Sequence, residues 1–323
     1  MNTQHQHDLS IVIISFNTIE ITRDCLRSVF DNLCGLSVQV IVVDNDSKDG
    51  SADMVAAEFP QVELIRNTDN RGFAAANNQG FERCTGEFVL LLNSDTVVLG
   101  DVLGKSVQYM REHPDVGVFG CRVLNPDRTM QPTCFMVPSL LNLTLMTLGL
   151  SRFRRPRFFG RMKMLDWHRD SEREVQVVTG CYMLVRRKAM DEVGWLDDSF
   201  FFCGEETDWC VRFRQADWKI MFSPVGEIIH IGNASGRRFE ARRDLMLTEG
   251  IVRFHRKHHG LVGAAAAYAV LWVFNSTHAL LWAILAVVRP GDRAKQRCRH
   301  FVEVTKGFGS AWPKRSPRVA AQA

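Results

Sequence analysis

The chain has 323 residues, 46% of them hydrophobic, and a formal net charge of only +4. That is apolar material for one large or two modest cores, and too little positive charge to argue for nucleic acid as a partner. Nine cysteines without a CxxC pair, and the polar opening Met1-Asn2-Thr3-Gln4, which does not read as a signal peptide, lead us to expect reduced thiols in a cytosolic compartment.

Residues 1–8, with His5 and His7, read as a disordered tail. From Leu9 to about Gly120 strand and helix patterns alternate. Residues 10–16 form a strand rich in β-branched side chains. Cys25, Leu26, Val29, Phe30 and Leu33 then recur at helical spacing. Residues 38–43 are a second strand, ending at Asp44, and 62–65 a third. The continuous apolar run 88–92 is a fourth, of the kind buried on both faces in parallel sheets. Residues 116–119 are a fifth. Strands separated by helices imply βαβ units and a largely parallel, doubly wound sheet.

Each strand end in this half carries polar groups. Asp44-Asn45-Asp46-Ser47-Lys48-Asp49-Gly50-Ser51 makes a turn able to bond a base or ribose, although an Asx-rich turn with Ser51 as a helix cap explains most of it. Asn70-Arg71-Gly72-Phe73 combines a glycine that lets backbone approach a ligand with an arginine suited to a diphosphate. Asn93-Ser94-Asp95-Thr96-Val97-Val98 follows the fourth strand, where open α/β sheets bind ligands. Asp95 there can hold a divalent cation against phosphate, or cap the next helix. Neither GxGxxG nor GxxxxGK[ST] occurs, so nucleotide binding needs another layout.

In order and spacing, Ser15-Phe16-Asn17, the run from Val42 through Ser51, Asn70-Arg71-Gly72-Phe73 and Asn93-Ser94-Asp95 resemble the motifs of family 2 inverting glycosyltransferases, most closely bacterial rhamnosyltransferase-like members. Thr179-Gly180-Cys181-Tyr182-Met183-Leu184-Val185-Arg186-Arg187 is similar to the family's acceptor-side strand. Phe200-Phe201-Phe202-Cys203-Gly204-Glu205-Glu206-Thr207-Asp208-Trp209 is similar to its catalytic carboxylate segment, and His230 matches a later histidine. The resemblance covers roughly residues 9–235. It implies a GT-A fold and a nucleotide-diphosphate sugar donor held through Mg²⁺ or Mn²⁺. By position, Asp44 would contact the base, with Asn17, Asp46, Arg71, Gly72 and Asn93 also on the donor, and Asp95 and His230 would hold the metal. Two departures stand out: Asn93 replaces the first acid of Asp-x-Asp, and the usual Glu-Asp pair is Glu205-Glu206.

Inverting transfer is one in-line displacement, needing a base for the acceptor hydroxyl and a charge sink for the leaving diphosphate. The resemblance puts Glu206 in the base position, fixed by a helix beginning near Thr207. Glu205 and Asp208 would raise its pKa by like-charge repulsion, or all three acids simply complement the helix N-terminus.

Beyond about Gly236 the composition changes. Arg237, Arg238, Arg242, Arg243, Arg253, Arg256 and Lys257 precede an apolar stretch, 261–288, and Arg289, Arg293, Lys295, Arg297 and Arg299 follow it. Another basic cluster is Arg152, Arg154, Arg155, Arg157, Arg161 and Lys163. The stretch is long enough to cross a bilayer, which takes about 20 residues, but polar Asn275-Ser276-Thr277-His278 interrupts it. A re-entrant or interfacial helix pair broken near Asn275 is expected, with a dry helical hairpin as the alternative. The expected organisation is a tail (1–8), a nucleotide-sugar half (9–124), an acceptor and catalytic half (125–235) and a basic, helical, membrane-associated region (236–323). The expected protein is a glycosyltransferase on the cytoplasmic face of the cell membrane. It would move a sugar, rhamnose by preference, to a glycan or polyprenyl-linked acceptor for surface polysaccharide. An inactive glycan-binding scaffold and a sugar nucleotidyltransferase are the rivals.

Overall fold

The computed structural model describes residues 5–153, 156–201, 203–232 and 241–313. Met1-Asn2-Thr3-Gln4, Arg154, Arg155, Phe202, Arg237 and Arg238 lie outside the described residues. In chain order the elements are β1 (His7–Ser15), α1 (Ile19–Asp31), β2 (Val38–Asp44), α2 (Ser51–Glu58), β3 (Glu63–Arg66), α3 (Phe73–Phe81) and β4 (Gly86–Asn93). They continue with β5 (Thr96–Leu99), α4 (Val102–Glu112), β6 (Val116–Leu124), β7 (Cys134–Phe135), α5 (Leu140–Thr147), β8 (Arg173–Glu174), β9 (Val177–Val178) and β10 (Tyr182–Arg186). The last are α6 (Arg187–Val193), α7 (Glu205–Gln215), β11 (Lys219–His230), α8 (Ala241–Val288) and α9 (Asp292–Gly307).

Two compact units result. The first comprises Met1–Val137, Trp167–Asp198 and Glu206–Gly236; the second Pro138–Asp166, Ser199–Glu205 and Arg237–Ala323. The first is built on a sheet of order β3-β2-β1-β4-β10-β6-β11-β5, with β8 added on β11. Pairing is parallel across β3-β2-β1-β4, while β10 runs antiparallel to both its neighbours. Ile11, Val12 and Ile13 of β1 and Phe88 to Leu92 of β4 are buried, as strands covered on both faces must be. Cys25, Leu26 and Val29 of α1 pack into the same core. From β1 the chain steps outward through β2 and β3, then returns to place β4 on β1's other side. The carboxyl ends of β1 and β4 therefore flank a topological switch point, where such sheets leave a crevice.

Several sequence expectations need correcting. His7 does not belong to a disordered tail: it opens β1, and its Nδ1 lies 2.9 Å from Ser37 Oγ. Ser51 is the first residue of α2 rather than its cap; Gly50, at φ 88°, holds the cap position. No helix follows Asp95. The β-branched Thr96, Val97 and Val98 form β5 instead, which turns back and pairs Thr96 with His230 of β11.

The second unit is helical. α8 breaks at Gly260 (φ 68°, ψ −166°), not near Asn275. Asn275 stays inside the helix because it is buried and its Nδ2 donates to Leu271 O at 2.8 Å. α9 folds back along α8: Arg297 sits over Trp282, Phe301 meets Phe274, and Phe308 just beyond α9 meets Tyr268. Small Ala264 and Ala267, with Leu143, Leu271 and Val304, fill the core between helices. On the outside Leu261, Val262, Leu280, Ile284, Val287 and Val288 are exposed, Val262 by 83%.

Candidate active site

Asp44 ends β2, beside Ser15 at the end of β1. It is 3% exposed. Its Oδ1 accepts from the Ser47 backbone N–H at 3.0 Å, whereas its buried Oδ2 has no hydrogen-bond partner among the described residues. A buried carboxylate oxygen left unpaired is costly, so a ligand N–H at this position would be well received. Neighbouring groups fix the loop. Asn45 Nδ2 donates to Asn70 Oδ1 and its Oδ1 accepts from the Arg71 backbone N–H, so the segments 45–51 and 67–72 are tied together. Asn17 Oδ1 accepts from the Lys48 N–H at 2.7 Å. Asp46 pairs with Lys48. Gly72 (φ 80°) opens α3, and exposed Arg71 pairs only loosely with Asp69, at 3.4 Å.

The turn between β4 and β5 brings Asn93 and Asp95 to His230 at the end of β11. Asp95 Oδ1 is 3.1 Å from His230 Nε2, and the Ile231 N–H donates to Asp95 O at 2.8 Å. Gln131 favours a proton on one nitrogen of the imidazole. Its Nε2 donates to Asn125 Oδ1 at 2.9 Å, which leaves Oε1 to accept from His230 Nδ1 at 2.6 Å. In a neutral ring with its proton on Nδ1, Nε2 would turn a lone pair toward Asn93 Nδ2 at 3.3 Å and toward the Asp95 carboxylate, whereas with a proton on Nε2 as well the same contact is an ion pair. An imidazole nitrogen and a carboxylate oxygen at that distance can be bridged by a proton or by a cation, and an oxygen-plus-imidazole donor set with a hydrogen-bonded second nitrogen suits a divalent metal. The two residues fit such an ion as a partial shell that a donor diphosphate would complete. Asn93, which replaces the first acid of Asp-x-Asp, has its Nδ2 3.3 Å from His230 Nε2.

Glu206 sits in the first turn of α7, which starts at Glu205 rather than near Thr207. Its Oε1 accepts from the Gly180 N–H at 3.2 Å. A Cβ on Gly180 would meet that oxygen at 2.9 Å and the Phe73 ring at 3.1 Å, so only glycine leaves the carboxylate where it is. Burial raises the Glu206 pKa above the ordinary 4.5, against the pull of its own and Gly180's N–H groups. Loss of water around the carboxylate is the largest cause of that rise. Asp208 is fully buried and ion-paired to Arg212 at 2.9 Å, whose guanidinium also donates to Val193 O and Trp195 O. Its charge thus anchors the 193–195 segment to α7. Glu205 is buried as well, at 2% exposure.

One backbone contact joins the two carboxylate clusters: the Asn93 N–H donates to Cys181 O at 3.3 Å, next to Gly180. Burial pushes the Cys181 thiol up to about 12, and both Asp95 and Glu206 add to that rise. Both carboxylates are therefore near one buried sulfur. Gln131 had no signal of its own in the sequence. Gln131 lies 99 positions from its partner His230, and the hairpin bridging Leu124 to Met130 is what delivers it.

The description "Glycosyl transferase family 2" matches residues 10–194. The N-acetylglucosaminyl-diphospho-decaprenol L-rhamnosyltransferase of Mycobacterium tuberculosis is 27% identical over 206 residues, 60% of this chain and 66% of that protein. The chain thus matches slightly less than two thirds of that relative. The low-salt glycan biosynthesis hexosyltransferase Agl10 of Haloferax volcanii is 22% identical over 251 residues, 74% of this chain and 72% of that one. Among solved structures, a mannosyltransferase of Pyrobaculum calidifontis in complex with GDP-Man and Mn²⁺ aligns with a TM-score of 0.55 at 15% identity, covering 96% of this chain and 87% of its own. GalNAc-T7 with UDP, GalNAc and Mn²⁺ aligns with a TM-score of 0.58 at 15% identity, over 94% and 56% of the two chains. These likenesses establish the GT-A fold.

Proposed function

Because this chain belongs to glycosyl transferase family 2, we propose that it transfers a sugar, with inversion, from a nucleotide-diphosphate donor to a lipid-linked glycan acceptor in surface polysaccharide synthesis. The observation that carries the reading is the joining of Asp95–His230 to Gly180–Glu206 through the Asn93–Cys181 bond at the sheet's switch point. Rhamnose from a deoxythymidine diphosphate donor is the preferred sugar, in keeping with the M. tuberculosis relative's name. Asp44 Oδ2 accepts from the donor's base, and Asn17, Asp46, Arg71, Gly72 and Asn93 line the rest of the donor site. Asp95 and His230 Nε2 hold a divalent metal, which when bound supplies positive charge to the departing diphosphate.

Glu206 is the base. Its carboxylate takes the proton of the acceptor hydroxyl as that oxygen bonds to the anomeric carbon and the carbon–diphosphate bond breaks. The raised pKa brings the carboxylate closer to the working pH, which makes it a stronger acceptor of that proton. Glu205 flanks it and Asp208 positions its helix. Incubation with a panel of nucleotide-diphosphate sugars, with and without Mn²⁺, tests the reading by donor hydrolysis. Turnover of one donor is expected, and inertness toward the whole panel would leave a binding protein.

Gln131 supplies a prediction of its own. Gln131→Leu removes the acceptor that keeps the proton on His230 Nδ1. Loss of such a partner typically costs ~10–100-fold in metal affinity. Mn²⁺ titration followed by electron paramagnetic resonance should show that weakening, and unchanged affinity would free His230 from Gln131's control.

The exposed apolar face of α8 is proposed to rest on the cytoplasmic leaflet of the cell membrane. A span is disfavoured because α9 packs along α8 and would carry Arg293, Lys295, Arg297 and Arg299 into hydrocarbon, where each is costly. Lying in the interface keeps those cations among anionic head groups, worth ~1 kcal/mol each. Replacing exposed Leu280, Ile284 and Val287 by Ser should lower flotation with anionic liposomes by at least ~10-fold, since each buried aliphatic side chain is worth ~1.5–3 kcal/mol. Donor hydrolysis should be spared. Undiminished flotation of the triple variant would move the contact elsewhere.

A further inference from the structure

A cleft of about 180 Å³ lies in the helical unit, between the segment before α7 and the first part of α8. We propose that it binds the diphosphate end of a polyprenyl-type lipid, which rests on the reading of the protein as a glycosyltransferase with a lipid-linked acceptor. Its walls are Phe200 and Phe201 on one side and Arg242, Met246, Glu249 and Arg253 on the other. The α8 residues recur at helical spacing and so share one face.

Charge and polarity select the ligand. Two guanidiniums face one carboxylate. Arg253 pairs with Glu249 at 2.7 Å, which uses one of its five donor N–H groups. Arg242 is exposed and makes no ion pair among the described residues. The cleft therefore keeps a net positive charge and unused planar forks, the geometry that binds phosphate oxygens in pairs. Beside these cations Phe201 is 51% exposed, an aromatic surface with little to gain from water. An inorganic anion would use the arginines and leave that surface wet. A prenyl diphosphate would use both, and past Gly260 the same helix offers the exposed Leu261 and Val262 to the rest of the chain.

The aromatic wall is held firmly. Gly204, at φ 108°, lies so close that a Cβ there would meet the Phe200 ring at 3.0 Å and Gly250 O at 3.3 Å. The chain passes from this wall directly into α7 and Glu206. A prenyl chain lying on Phe201, with its diphosphate on the α8 arginines, would thus rest on the segment that leads into the proposed base.

The test is calorimetric titration of the full chain, in chelator so that no metal assists at the donor site. The probes are farnesyl diphosphate, farnesol and inorganic diphosphate. Farnesyl diphosphate should bind best. Arg242→Gln should weaken it about 10-fold, and adding Arg253→Gln about 10-fold more, each lost charged contact being worth ~1.4 kcal/mol at tenfold. Arg242→Gln alone, at an exposed position, guards against a folding defect in the double variant. An unaltered affinity in the double variant, or farnesol binding as tightly as its diphosphate, would overturn the site. Equal binding of inorganic and farnesyl diphosphate would overturn the lipid assignment. Donor hydrolysis, measured separately, should not change with Arg242→Gln. A wild-type protein inert toward every donor would defeat the transferase reading without touching the binding result.

Discussion

Glu206→Gln should lower turnover by ~10²–10⁴-fold, the usual cost of a lost general base, with donor affinity intact. The amide preserves shape, and its oxygen can still accept from the Gly180 N–H that holds Glu206 now at 3.2 Å, so the loss would report charge rather than displacement. The pH profile adds a second check. Burial raises the Glu206 pKa above 4.5, and a base works only when ionised. Wild-type activity should therefore fall as pH drops through a value higher than an ordinary glutamate's, and the variant's residual activity should lack that limb. Stability moves the other way. A carboxyl whose folded-state pKa is raised favours folding when protonated, so this site's contribution is full below the unfolded pKa and lost as pH rises through the folded one. The Gln variant should not show that change on thermal melts. Near-normal turnover in Glu206→Gln, with Glu205→Gln inactive, would move the base to the neighbouring acid.

The second large effect is expected at the other cluster. Asp95→Ala should abolish tight Mn²⁺ binding and cut turnover by ~10²-fold or more, since charge neutralisation by a metal is worth several kcal/mol. The fold should persist: it is the Asp95 backbone carbonyl, not the side chain, that accepts from the Ile231 N–H, and the β5–β11 pairing does not involve the carboxylate. Chelation of the wild type should have the same effect, reversed by Mg²⁺ or Mn²⁺. Turnover that survives both the variant and excess chelator would leave Asp95 with a structural role beside His230.

The parallel half of the fold was legible because its signal is local. Runs such as Phe88 to Leu92 are apolar on both faces, and Asp44 and Asp95 fall where those runs stop. The turn after Asp95 was not legible, since Thr96-Val97-Val98 is compatible with either state until β11 supplies a partner from 130 residues away. The break in α8 was misplaced for a related reason. Polar Asn275 looked costly, but it is satisfied by the Leu271 carbonyl, whereas Gly260 adopts a backbone conformation that nothing in the composition announces. Gln131's hold on His230 and Arg212's hold on Asp208 are side-chain contacts that only the folded chain creates. The carboxylates themselves could be read in sequence; which of them are committed to structure could not.

The most direct test of the account is the anomeric configuration of the product, followed by proton NMR from the first turnovers with whichever nucleotide-diphosphate sugar is consumed. A single displacement with Glu206 as base predicts that the transferred sugar has the configuration opposite to that in the donor. A product that retains the donor's configuration would contradict it, because retention requires a different course from one in-line attack by a deprotonated acceptor hydroxyl.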